Sequence, residues 1–245
     1  MGSGSGGWSC ALLALLLRPA AVAEVRVTHL RTEHLADPLG LDKPAPCFGW
    51  WLMCVAGGAH GDNAPAARGL RQTSYRILVS GEGAPAGSVW DSGAVASAAS
   101  FQVRYGGPPL ESGAVYRWTV AVSATVDGEA AEANATGPTA SFSMGMLAPT
   151  AWSGRFIGLP SANPPTDCPW FRKAFALPPT ATAASSSALL SVASVGFHVF
   201  EVNGRRASAG VLLPSASFLP KRVLYRTYNV SALLKPGARN VLGIW

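Results

Sequence analysis

The feature that most constrains the fold is a strict alternation of side-chain character in residues 115–122, which read VYRWTVAV. Large apolar side chains occupy every even position, from Tyr116 to Val122, and Arg117 and Thr119 lie between them. A period of two is the period of a β-strand, whose successive side chains point to opposite faces. The segment is therefore predicted to be a strand with one buried face.

Short segments of this kind recur along the chain, most of them ended by Gly, Pro or Asp. Further predicted strands are 25–30, 48–53, 74–79, 101–105, 140–144, 170–177, 189–197, 195–202, 223–230 and 241–245. Asn203-Gly204 predicts a type I′ hairpin turn, and residues 235–237 (KPG) predict another turn. Roughly seven strands in the first part are typical of a fibronectin-III or immunoglobulin-like sandwich. The fold class is therefore predicted as all-β, with two consecutive β-sandwiches.

Composition narrows the class of protein further. Apolar residues make up 49% of the chain, which is enough for a hydrophobic core. The 27 Gly and 19 Pro together approach a fifth of the chain, which is below the share typical of disordered chains. The formal charge is +6, but the basic residues are scattered rather than clustered, so no nucleic-acid partner is predicted. The sequence has no uninterrupted run of about 18 apolar residues, so no membrane span is predicted.

The N-terminus is typical of a secretory leader. An apolar run at 10–17 precedes Ala21-Val22-Ala23, a pattern that a signal peptidase accepts before Glu24. Residues 1–23 are therefore predicted to be a signal peptide, and the protein to be secreted. The alternative is a start codon placed upstream of a cytosolic domain. Two sequons, at Asn134 and Asn229, are candidate N-glycosylation sites, although such triplets are common by chance.

The cysteines argue against a metal site. If Cys10 leaves with the leader, Cys47, Cys54 and Cys168 remain, an odd number without zinc-type spacing. A strand between Cys47 and Cys54 would hold them too far apart for a disulfide. They are predicted to be buried thiols, and no metal or cofactor is predicted.

Several phrases of the first half resemble a known family. Residues 31–42 (RTEHLADPLGLD) and 46–50 (PCFGW) resemble the opening of bacterial-type α-L-rhamnosidases, which reads R-T-E-x-x-x-x-P-x-G-I-D and then P-x-F-S-W. The match continues at 71–79 (RQTSYRILV), 90–93 (WDSG), 105–110 (YGGPPL) and 116–120 (YRWTV). Cys47 and Gly49 depart from the family pattern. The predicted first domain, a fibronectin-III-like sandwich, is 24–148.

The second half resembles the region that follows in these enzymes. Residues 152–158 (WSGRFIG) resemble a linker strand, and 170–177 (WFRKAFAL) resemble the family's L-R-K-E-F strand. The resemblance implies an incomplete jelly-roll or galactose-binding-like sandwich at 149–245. It also implies a C-terminal (α/α)₆ catalytic barrel that is absent from the 245 residues. The apolar run at 241–245 independently predicts that covering strands are missing.

The resemblance implies the non-catalytic N-terminal region of an α-L-rhamnosidase. The complete enzyme would release terminal α-L-rhamnose from glycosides or polysaccharides by inversion, and its catalytic acids would lie in the barrel. No catalytic residue is assigned here. Trp152, Trp170 and Tyr225 are candidate carbohydrate contacts, although tryptophans of sandwiches more often belong to the core. The alternatives are a free-standing carbohydrate- or protein-binding module, or a different glycosidase that shares these sandwiches.

Overall fold

A computed structural model describes residues 24–55, 69–82, 88–130, 137–159, 169–179 and 187–245. Within these ranges the protein is all-β, as predicted: fourteen strands form four antiparallel sheets, and the helical residues are two short 3₁₀ turns at Pro149–Ala151 and Ser231–Leu233. In the same ranges no helix is long and apolar enough to cross a bilayer. The predicted leader, the sequon at Asn134 and Cys168 fall outside the described residues. The domain limits at 24–148 and 149–245 stay predictions.

The first eight strands build two facing sheets. They are β1 (Glu24–Thr32), β2 (Cys47–Val55), β3 (Arg71–Gly81), β4 (Ser88–Asp91), β5 (Val103–Arg104), β6 (Val115–Val126), β7 (Glu129–Ala130) and β8 (Ala140–Ser143). One sheet has the order β1-β2-β5, and the other has the order β4-β3-β6, with β7 and β8 both paired to β6. We call this part the first sandwich.

The core of the first sandwich lies between these sheets. It contains the even-numbered residues of β6 from Tyr116 to Val122, which confirms the alternation predicted for 115–122. Its buried members are Val27, Leu30, Phe48, Trp50, Ile77, Val79, Val103, Tyr105, Leu110, Tyr116, Trp118, Val120, Val122, Phe142 and Met144. Rings from both sheets meet in it, with Phe48 and Trp118 4.5 Å apart between centroids.

Buried polar atoms in this core have partners. The indole Nε1 of Trp118 donates to Thr32 Oγ1 at 3.1 Å, and that of Trp50 donates to Gln72 Oε1 at 2.9 Å. The amide of Gln72 then donates to the carbonyls of Ser97 and Ala99. A buried polar group without a partner costs about 1–3 kcal/mol, so these bonds let two tryptophans lie in the interior.

The remaining six strands form the second region. They are β9 (Phe171–Ala176), β10 (Leu189–Ala193), β11 (Phe200–Val202), β12 (Arg205–Arg206), β13 (Tyr225–Asn229) and β14 (Arg239–Ile244). One sheet has the order β12-β11-β14-β9, and the other contains only β10 and β13 among the described residues. The last apolar strand, β14, is therefore central in its sheet, paired to β9 on one side and β11 on the other.

The core of the second region is small. Its buried residues are Phe200, Val202, Tyr228 and Val230, with half-buried aliphatic side chains around them. An amide pair links β11 to β14 at one end of their ladder: Asn203 Nδ2 donates to Asn240 Oδ1 at 2.8 Å, and the buried Asn240 donates through Nδ2 to the carbonyls of Lys235 and Ala238.

The two predicted turns are confirmed. Asn203 and Gly204 both have positive φ, 54° and 77°, and they join β11 to β12 as a hairpin. Gly237, with φ 64°, lies in the turn before β14. A further tight hairpin, which was not predicted, joins β6 to β7 at Asp127-Gly128, where both residues have positive φ. The Asp-Gly pair is itself a strong hairpin signal.

Three predicted strands are wrong in extent or absent. Residues 152–158 form no strand, and Phe156 and Ile157 are exposed, because no neighbouring strand pairs with them among the described residues. Residues 195–199 precede β11 without joining it, since Gly196 at φ 108° breaks the extended backbone. Only 103–104 of the predicted strand at 101–105 is extended and paired, because Gln102 turns at φ 52°.

Candidate functional site

Three carboxylates, those of Glu33, Glu82 and Asp91, hold parts of the first sandwich together through ion pairs. Glu33 accepts from the backbone N of Cys47 at 2.6 Å and from Lys43 Nζ, so it closes the loop between β1 and β2. Burial raises the pKa of Glu33, but the bonds from Lys43 and Cys47 together outweigh burial and lower it.

Glu82 and Asp91 behave in the same way. Burial raises the pKa of Glu82, but hydrogen bonds from Ser187 and Arg117 lower it overall. The bidentate bond from Arg76 and the backbone N of Gly93 lower the pKa of Asp91 to about 2. A glycosidase acid needs the opposite, a carboxyl whose pKa is raised so that it holds a proton near neutral pH. None of these three groups is suited to proton donation.

The candidate carbohydrate contact Trp170 lies on the surface. Its side chain is 73% exposed, and its ring stacks on that of Trp245 with centroids 4.7 Å apart and an interplanar angle of 8°. The pair extends the ladder between β9 and β14 by one residue on each strand. Each ring keeps an outer face that the other does not cover, so a role in sugar binding at Trp170 stays a prediction.

The other two candidates, Trp152 and Tyr225, lie together at the junction of the two regions. Their rings meet edge to face at 5.1 Å. The Tyr225 hydroxyl accepts a hydrogen bond from the backbone N of Met146 at 2.8 Å, which joins β13 to the end of the first sandwich. Their prediction as carbohydrate contacts is untested, but this geometry gives both a definite structural partner.

Two glycines make this close approach possible. A Cβ on Gly145 would lie 2.1 Å from the Tyr225 hydroxyl and 2.9 Å from the carbonyl O of Gly40. A Cβ on Gly40 would lie 2.6 Å from Thr227 Oγ1, and Gly40 also has φ +70°. Real Cβ contacts are longer than this, so only glycine fits at either position. We call these residues, with Met146, Tyr225 and Thr227, the junction.

A buried histidine that the sequence analysis did not single out lies in the second region. His198 Nδ1 lies 2.8 Å from Ser194 Oγ, and His198 Nε2 lies 3.0 Å from the Tyr228 hydroxyl. Burial lowers the pKa of His198 and raises that of Tyr228. Both ring nitrogens are therefore engaged and the imidazole is held neutral, which is the arrangement of a structural histidine. Ser194 and His198 lie in one connecting segment and Tyr228 lies 30 positions further on, so no local motif marks the three together.

A pocket adjoins this histidine, lined by His198, Val199, Phe200, Ser208, Gly210, Leu213 and Tyr228. Its volume of about 10 Å³ is far below the ~300–1,000 Å³ typical of small-ligand pockets. The arrangement favours packing rather than a substrate site.

The cysteines are free and less buried than predicted. Cys47 and Cys54 are both half-buried, because they lie near the two ends of β2 rather than in its middle. Lys43 Nζ lies 3.6 Å from Cys47 Sγ. In the described residues no group of three or more His, Cys, Asp or Glu side chains is placed to hold a metal ion.

Two family models match the chain in succession. Residues 27–148 match the "Rha78A-like, N-terminal immunoglobulin domain", and residues 183–245 match the "Alpha-L-rhamnosidase N-terminal domain". Together with the geometry above, these matches define the class of protein: consecutive β-sandwich domains in which the carboxyl groups with lowered pKa stabilise loops and strands. The family follows from the same matches. This chain belongs to the N-terminal part of the α-L-rhamnosidases.

Similar proteins support the same assignment. The chain is 30% identical over 207 residues to an α-L-rhamnosidase of Streptomyces avermitilis and 27% identical over 227 residues to one of Formosa agariphila, covering 75% and 87% of this chain. It spans only 18% and 22% of those two relatives.

Two solved structures share the fold. The α-L-rhamnosidase of Dictyoglumus thermophilum is 25% identical with a TM-score of 0.67, over 89% of this chain and 24% of that one. That of Aspergillus terreus is 22% identical with a TM-score of 0.65, over 90% of this chain and 23% of that one. The second likeness concerns the fold alone.

Proposed function

We propose that these residues are the non-catalytic N-terminal region of an α-L-rhamnosidase. The complete enzyme would hydrolyse terminal α-L-rhamnose from glycosides or polysaccharides with inversion. Its catalytic barrel and its pair of carboxylic acids would lie outside the residues considered. The observation that carries the proposal is the succession of two family matches, in the order 27–148 and then 183–245, along one chain.

The electrostatics of the described residues support a non-catalytic role. Inverting hydrolysis needs two carboxyl groups about 6.5–9.5 Å apart across a cleft, one of them protonated. Glu33, Glu82 and Asp91 are each bound to a cation, and the pKa of each is lowered. These three carboxylates are therefore unsuited to proton donation, which supports a non-catalytic role.

The apolar surface of the second region supports packing against a further domain. Val195, Phe197, Val211, Leu212 and Phe218 are all exposed by more than half. They lie around the bridge between His198 and Leu213, which pairs two irregular segments. Contiguous exposed apolar surface marks contact sites, and in the complete enzyme this surface would pack against the catalytic barrel.

The proposal extends to export. Residues 1–23 would be a leader, and the mature protein would be extracellular. Asn229, the sequon inside the described residues, is exposed, and its Oδ1 accepts from the hydroxyl of Ser231 at 2.7 Å. Mass spectrometry of the secreted protein would test this: a mature N-terminus at Glu24 is expected, and an intact Met1 in the secreted product would contradict it.

Activity is tested by comparing two proteins on an aryl α-L-rhamnoside. The 245-residue chain alone should show no turnover, because it supplies structure and no acid pair. The product of the complete coding sequence should release rhamnose. Sustained turnover by the chain alone would overturn the non-catalytic assignment, and a stop codon directly after Trp245 would favour the free-standing binding module.

A further inference from the structure

The two sheets of the first sandwich have very different outward faces. On the sheet β1-β2-β5, the outward side chains of β2 are those of Cys47, Trp51 and Met53, with Gly49 between them. Trp51 is 64% exposed, and Phe101, which follows the loop beside β2, is 61% exposed. Large aromatic rings therefore face the solvent on the side of the sheet that lies opposite the core of the first sandwich.

Gly49 shapes this face. A Cβ at Gly49 would lie 3.7 Å from the Phe101 ring and 3.6 Å from the carbonyl O of Ser100, so the ring lies over the bare backbone of β2. Gly49 and Trp51 are two residues apart on one strand, which separates them by about 7 Å. Two histidines brace the rings: His29 stacks on Trp51 at 4.5 Å, and His34 lies 5.1 Å from Phe101.

Two arginines lie on this face beside the rings. Arg31 is the strand partner of Gly49, and Arg104 is the strand partner of Cys47, so both guanidinium groups lie on the outward side. Neither forms an ion pair with any described carboxylate; Arg31 contacts the carbonyl of its neighbour Leu30. The one acid close to them, Glu33, is already bound by Lys43.

The opposite sheet provides the comparison within the same sandwich. Two of its outward arginines are neutralised, Arg76 by Asp91 and Arg117 by Glu82, whereas Arg71, at the start of β3, is exposed and has no ion pair among the described residues. The outward positions of β6 between its ends hold small residues such as Ala121 and Ser123. The two faces therefore differ mainly in their rings: the outward side of β1-β2-β5 carries the exposed Trp51 and Phe101 beside Arg31 and Arg104, and the middle of β6 carries small side chains.

We propose that the outward face of β1-β2-β5 binds an anionic polysaccharide. We call it the aromatic face and define it by Arg31, Gly49, Trp51, Phe101 and Arg104. The rings would stack on the apolar faces of successive pyranose units, and the guanidinium groups would pair with uronate carboxylates, which match the planar donor fork of arginine. This deepens the proposed function, on which it rests, by naming a charged polymer as the form in which substrate is held.

The test is native electrophoresis of the 245-residue chain in gels containing polygalacturonate, with hydroxyethyl cellulose as the neutral polymer. The wild-type chain should be retarded by the polyuronate alone, and less so as salt is raised, since counterion-linked contacts weaken with ionic strength. Trp51→Ala with Phe101→Ala should weaken retardation about ten-fold, as should Arg31→Gln with Arg104→Gln, which should also flatten the salt dependence.

Matched controls remove the same chemistry elsewhere. Arg172→Gln with Arg239→Gln deletes two exposed guanidinium groups of the second region, and Leu78→Ala deletes an exposed apolar side chain of the opposite sheet. Both controls should be retarded like the wild type. Near-ultraviolet circular dichroism should show that each variant keeps the fold.

Four results would overturn the proposal: no retardation of the wild type, equal retardation in the neutral gel, equal weakening by the Arg172/Arg239 control, or equal binding of single-stranded RNA. The last would identify a general polyanion surface. Hydrolysis of an aryl α-L-rhamnoside by the complete protein is scored separately. Its absence would count against the proposed function while the gels still decide the aromatic face.

Discussion

The first sandwich buries much more apolar surface than the second region does. The first encloses fifteen buried apolar residues between two sheets, with four tryptophan and phenylalanine rings almost completely inaccessible. The second encloses four, and its smaller sheet has two strands among the described residues. Several of its large apolar side chains, Phe197 and Phe218 among them, face outward.

This difference separates a self-sufficient domain from one that depends on neighbours. Apolar burial contributes about 25 cal/mol per Å² and is opposed by the entropy of ordering the chain. The first sandwich has enough core to be stable by itself. The second region gains contacts at the junction and, under the proposed function, from a catalytic barrel.

The largest effect is expected from Trp118→Ala in the core of the first sandwich. The substitution leaves a cavity between the sheets and removes the donor to Thr32, so it should lower the free energy of unfolding by about 3–5 kcal/mol. Trp170→Ala, on the surface of the second region, is the matched control and should change it by under about 0.5 kcal/mol. Urea unfolding followed by far-ultraviolet circular dichroism measures both. Equal losses would contradict the comparison.

Gly145→Ala should have the next largest effect, because it breaks the junction. A methyl group there meets the Tyr225 hydroxyl and the backbone of Gly40, so the regions must move apart at a cost of about 1–3 kcal/mol. In calorimetry the second region should then unfold earlier, as a separate transition. Gly154→Ala, where nothing lies within 4 Å of the added Cβ, should leave the profile unchanged. An identical shift in both variants would mean that the junction does not support the second region.

A smaller effect is expected from acid on the second region. Burial lowers the pKa of His198 below its ordinary 6.5, so the unfolded chain binds more protons than the folded one in this window. The contribution of neutral His198 to the free energy of unfolding should be fully present above about pH 6.5 and should fall as the pH drops toward the folded-state pKa of His198. Thermal unfolding from pH 7.5 to 5 should show this loss in the second region, and His198→Gln should flatten it. An unchanged slope in the variant would contradict the assignment.

The smallest effect is expected in the first sandwich, at lower pH. The pKa of Asp91 is lowered to about 2 by Arg76 and the backbone of Gly93. The contribution of the Asp91 carboxylate to the free energy of unfolding should be present above pH 3.8, its ordinary pKa, and should disappear as the pH falls toward 2. The pair is exposed, so the change should be small. Asp91→Asn should remove this step and leave the His198 step intact. The two regions would then respond to acid in separate windows.

Local patterns predicted much of the fold. The alternation in 115–122 predicted which side chains of β6 are buried, because the strand repeat is a property of the backbone. Asn203-Gly204 predicted a hairpin, since both residues tolerate positive φ. The prediction failed at 152–158, where an apolar run of strand-like character has no strand beside it, and at Gly196, whose positive φ no neighbouring residue indicated.

Fewer features of the candidate site could be predicted from local sequence patterns. The resemblance identified the family from residues 31–42 and their successors, and it placed the catalytic acids elsewhere. It did not indicate that the Tyr225 hydroxyl accepts a hydrogen bond from the backbone N of Met146, or that His198 lies between Ser194 and Tyr228. These partners are separated by as many as 79 positions in the chain, and no spacing rule connects them.

The amino-acid sequence by itself determined the strands, the tight turns and the identity of the core-facing residues, because these depend on backbone geometry and on side chains a few positions apart. Only the tertiary structure decided which charges are neutralised. Arg76 and Arg117 meet carboxylates across the β4-β3-β6 sheet, whereas Arg31 and Arg104 form no ion pair with a carboxylate in the part of the chain that the structure describes. The reason is register: which residues face each other depends on how distant strands align, and that alignment is settled by the packing of the whole core.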